Sequence, residues 1–91
     1  QWAEEPGLWL YHAYAARRCA GGSIEAAYEL LAPCVERFPE EWLIPYNVAC
    51  YLCQMERLDE ARAMLEMARA KGGERVDTMA KDDEDLAPLN L

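Results

Sequence analysis

With 91 residues the chain has room for one domain, and a domain this small leaves much of its surface exposed, so a binding surface on it is broad rather than a deep pocket. Apolar residues make up 53% and charged residues 29%, a balance that excludes wholesale disorder. The 17 acidic residues outnumber 9 basic ones for a net charge of −8, which opposes binding to nucleic acid or anionic membrane surfaces, since both are held by Lys and Arg on phosphate. That charge serves solubility and mildly favours basic or neutral partners.

A first helix is expected from Pro6 or Gly7, because proline suits a first helical turn and Glu4 and Glu5 stand at the favourable end of the dipole. It runs through Leu8, Tyr11, Tyr14, Ala15 and Arg18 and stops at Gly21 and Gly22. Ser23 reads as the cap of a second helix, with Glu25 in its first turn and Ile24, Ala27, Leu30, Leu31, Cys34 and Phe38 on one face. Pro39 ends it, and Pro33 removes a backbone hydrogen bond inside it, which predicts a bend between Leu31 and Cys34. A third helix begins between Glu40 and Leu43, continues through Pro45, Val48, Ala49 and Leu52, and breaks near Glu56 and Arg57. The fourth carries Leu58, Ala61, Leu65 and Ala68 at helical spacing and stops at Gly72 and Gly73. Beyond it a short helix reaches about Lys81. The acidic run from Asp82 to Asp85 then leads into Leu86, Leu89 and Leu91, so that Val76, Met79, Leu86 and Leu89 are expected to close the last hairpin while the acids face water.

These helices repeat at a lag of 34 residues: Ala15, Ile24, Ala27, Leu31 and Cys34 return as Ala49, Leu58, Ala61, Leu65 and Ala68. Small residues recur where a larger side chain would push paired backbones apart, and branched residues recur around them. One hairpin leaves an apolar flank uncovered, and stacking a second on it buries that flank. The expectation is therefore an all-α, right-handed stack of antiparallel helical hairpins, an α-solenoid forming one domain over residues 1–91. Its second turn has Glu56 where the first has Gly22, and must be made without glycine.

The stretch Tyr46-Asn47-Val48-Ala49-Cys50-Tyr51-Leu52, with Arg57-Leu58-Asp59-Glu60-Ala61-Arg62 and Leu65-Glu66-Met67-Ala68, resembles a tetratricopeptide repeat. The preceding unit, ending at Pro39, resembles a second. The resemblance implies repeats over residues 8–41 and 42–73 and a C-terminal capping segment over 74–91; the tail is similar to the closing segment of some bacterial members, which implies a bacterial protein. It also implies a concave wall that binds a peptide or helix of a partner protein, made here by Trp9, His12, Ala16 and Cys19 with Leu43, Tyr46, Asn47, Cys50, Cys53 and Gln54. Some members clamp a terminal carboxylate with Lys, Arg and Asn on this wall. Here Asn47 stands without a cation, which favours an apolar segment in the groove. The alternatives are that Trp9 and Tyr46 pack against a neighbouring helix, and that the chain is the self-associating or structural end of a longer array, a homo-oligomer.

Cys19, Cys34, Cys50 and Cys53 lie in helical segments rather than loops, which favours a reducing compartment, the cytoplasm, over a disulfide framework. Cys50 and Cys53 are three apart and the lag matches Cys19 to Cys53, so three thiols and a fourth ligand could suit zinc or a redox role. Against this, His12 sits about 10 Å of helix rise from Cys19, and cysteines also serve as small apolar residues. Neither a metal nor a cofactor is expected. No catalytic residue is expected either: Ser23 is taken as a cap, His12 has no neighbouring nucleophile in the sequence, and the glycine pairs follow helices rather than strands. No apolar run approaches the roughly 18 residues that cross a bilayer. The chain opens on Gln1 rather than Met, which reads as a piece of something longer.

Overall fold

A computed structural model of the chain describes residues 23–89, and every regular element within them is helical. The expected first helix, with Trp9, His12, Ala15, Ala16, Arg18 and Cys19, lies outside the described residues. In chain order the elements are α1 (Ile24–Leu31), α2 (Cys34–Arg37), α3 (Leu43–Gln54), α4 (Leu58–Gly72), α5 (Glu74–Lys81) and a 3₁₀ helix (Glu84–Leu89).

Local chemistry sets most of the boundaries. Ser23 is extended, and its hydroxyl accepts from the Ala26 amide at 3.1 Å, capping α1 as expected. Pro33 does more than bend the second helix: it divides it into α1 and α2, because a ring without an N–H cannot continue the ladder through Ala32. The α4–α5 junction uses two glycines for two reasons. A Cβ on Gly72 would stand 2.7 Å from Val76 Cγ2 and 2.8 Å from Trp42 Cγ, so Gly72 is there for space. Gly73 has nothing near it but takes φ of 72°, so it is there for its backbone angle.

The turn between α3 and α4 is made by Glu56 at φ of 62°. The Arg57 amide reaches back to the Leu52 carbonyl at 2.9 Å and the Glu56 amide to the Cys53 carbonyl at 3.0 Å, the paired bonds of a Schellman ending. Arg57 also lays its guanidinium over the Tyr28 ring at 5.0 Å, tying this turn to α1. A left-handed backbone angle costs an L-residue about 1–2 kcal/mol, part of which glycine returns through its freer unfolded chain. Glu56→Gly is therefore expected to stabilise the fold by a net ~0.5–1 kcal/mol. A thermal melt checks this, and a midpoint that stays or falls would refute it.

The core is arranged around α3. Nine of its twelve residues are buried, including Ile44, Val48, Ala49 and Leu52, and its segment is apolar on all sides, as a central helix must be. It pairs with α4 as a hairpin, with α1 on a second side and the 3₁₀ helix on a third. Ala27 and Ala61 are 0% exposed, as are Ala49 and Ala68, so among the described residues these recurring small slots are buried as expected. Near the C-terminal end of α4, the Lys71 ammonium donates to the Pro39 carbonyl, and Arg69 pairs with Asp77 of α5 across the exterior.

The tail departs from expectation at Met79 and in the acidic run. Val76, Leu86 and Leu89 are buried, but Met79 is 43% exposed, because α5 turns Val76 and Ala80 inward and Met79 falls on its outer side. Asp83, expected to face water, turns toward α3. Among the described residues, no helix is long and apolar enough to cross a membrane.

Candidate functional site

One wall of α3 carries most of the residues singled out from the sequence. At helical spacing, Tyr46, Cys50 and Gln54 stand one above another along the axis. All three reach the same neighbour, the C-terminal segment. The Tyr46 hydroxyl donates to Asp83 Oδ2 at 2.8 Å, the Cys50 thiol lies 3.8 Å from the same oxygen, and Gln54 Nε2 donates to the Asp85 carbonyl at 3.4 Å. Asp83 Oδ1 accepts the Asp85 amide at 3.0 Å, which folds the acidic run into a turn. From α4, Arg62 donates to the Leu89 carbonyl at 3.3 Å and holds the far end of the segment.

The remaining expected wall residues fall around this contact. Leu43 and Asn47 are half-buried at the N-terminal half of α3, where Asn47 Nδ2 donates to the Leu43 carbonyl at 2.8 Å. That bond stays within one helix turn and uses one of the amide's two donors. Cys53 is buried beside the stripe. Trp42 meets the Tyr46 ring edge to face at 6.0 Å, and Arg75 lies over Trp42 at 5.8 Å, which continues the aromatic patch toward α5. Trp9, His12 and Cys19 lie outside the described residues.

Burial raises the pKa of Tyr46 well above the usual tyrosine value, reinforced by the hydrogen bond to Asp83 and by nearby negative charge. Burial likewise raises the thiols of Cys53 and Cys34, with Arg62 and Arg37 respectively acting the other way. Protonated, buried thiols are poor nucleophiles and poor ligands, so the local environment does not activate Cys34 or Cys53. Cys34 and Cys53 are free thiols. Cys50, Asp83 and Asp85 offer ligand atoms within 4.8 Å of one another, a donor set of the kind a divalent cation takes. Both oxygens of Asp83 are already engaged by Tyr46, Cys50 and the Asp85 amide, and this accounts for the cluster as a fold contact.

The Tyr46 contact yields a signed expectation. A phenol whose pKa is raised on folding favours the folded state below the unfolded value near 10; above it the unfolded chain ionises first, so stability falls as pH rises. Tyr46→Phe is expected to cost about 1–3 kcal/mol at neutral pH, since Asp83 loses a donor, and to flatten the decline above about pH 10. Melting both proteins from neutral to alkaline pH checks it; parallel curves would remove Tyr46 as the source.

A second feature, not singled out from the sequence, lies between α1–α2 and α4. It is an open groove of ≈ 330 Å³ lined by Tyr28, Val35, Val48, Leu52, Met64 and Met67 among others. Each of these reads as ordinary core in a linear pattern. Only the gap that α1–α2 and α4 leave over α3 gathers them around a shared hollow. The contacts of Asp83, Asp85 and Arg62 were equally hidden, although the spacing of Asp83, Leu86 and Leu89 by three residues was open to view.

No protein-family model, no curated protein and no solved structure matches this chain.

Proposed function

We propose that this chain is a non-enzymatic protein-interaction module, a stack of helical hairpins of tetratricopeptide-repeat type, which holds a peptide or helix of a partner protein against the inner wall of α3. The observation that carries the reading is that this wall already engages a short peptide segment: Tyr46 and Gln54 bind residues 83 and 85 of the chain itself, beside the buried Leu86 and Leu89. A wall that combines an aromatic body, a thiol and an amide provides area, fit and polar register. Leu43 and Asn47 extend it at one end, and Trp9, His12 and Cys19 of the expected first helix would complete it. The buried free thiols of Cys34 and Cys53 are in keeping with a reducing compartment such as the cytoplasm.

Panning a random peptide display library on the purified chain tests the reading. The expected result is a consensus whose binding is lost in Gln54→Ala and Asn47→Ala proteins that keep the parent's circular dichroism melt. No enrichment, or a consensus indifferent to both substitutions, would defeat it.

A second reading is favoured by the same tail: residues 74–89 cover the flank of α3 and α4 as the end of an array must be covered. In that case the chain is the closing part of a longer stack or a self-associating unit. Light scattering separates the two, since a dimer at micromolar concentration supports association and a monomer leaves the wall to a partner.

A further inference from the structure

The segment that follows α5 is held in an unusual way for a piece of core. A 3₁₀ helix has three residues per turn, so residues three apart share a side. Asp83, just ahead of the helix, thus lines up with Leu86 and Leu89. These two leucines are buried, while Glu84, Ala87 and Pro88 on the other sides are exposed. Polar anchors grip it from outside: Tyr46 on the Asp83 carboxylate, Gln54 on the Asp85 carbonyl and Arg62 on the Leu89 carbonyl. It joins the rest of the chain through the exposed Asp82. An aspartate, two leucines and backbone carbonyls taken by side chains form a linear footprint, which any segment of the same pattern reproduces.

We propose that residues 83–89 are an internal ligand of the α3 wall, and that the partner segment this wall recognises carries the same chemistry: an aspartate followed by leucines three and six positions later. The inference rests on the interaction reading above and names the partner class for that same wall. Tyr46 selects the acid, and the two leucine seats beside α3 select spacing. A second acidic segment binds this acidic chain through these local contacts, with the Tyr46 hydroxyl donating to its carboxylate. Because the internal segment is tethered, its effective concentration is of order millimolar, and an incoming segment must compete against that. The tail therefore sets the threshold at which a partner is accepted.

The test uses the full chain with a protease site inserted at Asp82, cut after folding, and a fluorescent peptide with the sequence of residues 81–91. The cut chain is expected to bind the peptide saturably in fluorescence anisotropy, and the uncut chain at least about tenfold more weakly. Peptides carrying Asp83→Lys, or Leu86→Ala with Leu89→Ala, are expected to lose at least about tenfold in affinity for the cut chain. Equal binding to cut and uncut chains, or no binding to a cut chain that still melts as the parent does, would overturn the proposal. So would loss of the circular dichroism melt on cutting, since the segment would then be part of the core. A display consensus of different pattern, still dependent on Gln54 and Asn47, would leave the interaction reading standing while removing this one.

Discussion

Leu31→Ala is expected to destabilise the protein by about 2–5 kcal/mol, whereas the same change at Leu65 costs clearly less. The two leucines occupy equivalent slots at the 34-residue lag, yet Leu31 is 0% exposed and Leu65 is only partly buried. Leu31 lies at the end of α1 facing α3, where truncation leaves a cavity that helices fixed on several sides close poorly. Leu65 lies along α4 beside an open depression shared with Arg69, Asp77 and Lys81, where solvent reaches the space that a truncation leaves. For a domain near 90 residues the Leu31 loss translates into a melting midpoint lower by roughly 10 °C or more. Urea titration of both variants with unchanged slopes measures the difference. Equal losses would mean that the two units bury their slots alike.

Ala61→Leu is expected to cost about 1–3 kcal/mol by overpacking, against a change within about 0.5 kcal/mol for Ala70→Leu on the same helix. Ala61 is 0% exposed on α4, the partner of α3 in the hairpin, whereas Ala70 is exposed near the helix end. Three extra carbons at Ala61 force either the two helix axes apart or an off-rotamer side chain. At Ala70 they enter water. The measurement is again equilibrium unfolding, and a tolerated leucine at Ala61 would show that close helix approach is not what the small slot serves.

Much of this could be read before any coordinates. The cap at Ser23, a disturbance at Pro33 (read as a bend, found as a break), the stop at Gly72 and Gly73 and the burial of Ala27 and Ala61 are matters of backbone chemistry or helical period, which act over a few residues. The glycine-free turn was legible as a difficulty, and Glu56 resolves it by taking the left-handed angle itself. The wall of α3 was legible as a list of residues. Its covering was not, because Tyr46 and Asp83 are 37 positions apart and neither residue type signals the other.

By itself the sequence determined that the described residues are helical, most of the ends of those helices and which small positions are buried, since each follows from dihedral preference, hydrogen-bond supply or side-chain volume in a local window. Tertiary structure alone decided that Leu31 and Leu65 are unequal, that Met79 points outward and Asp83 inward, and that the tail lies on α3. Those outcomes depend on which surfaces meet across the chain, and burial is a property of the meeting rather than of the residue.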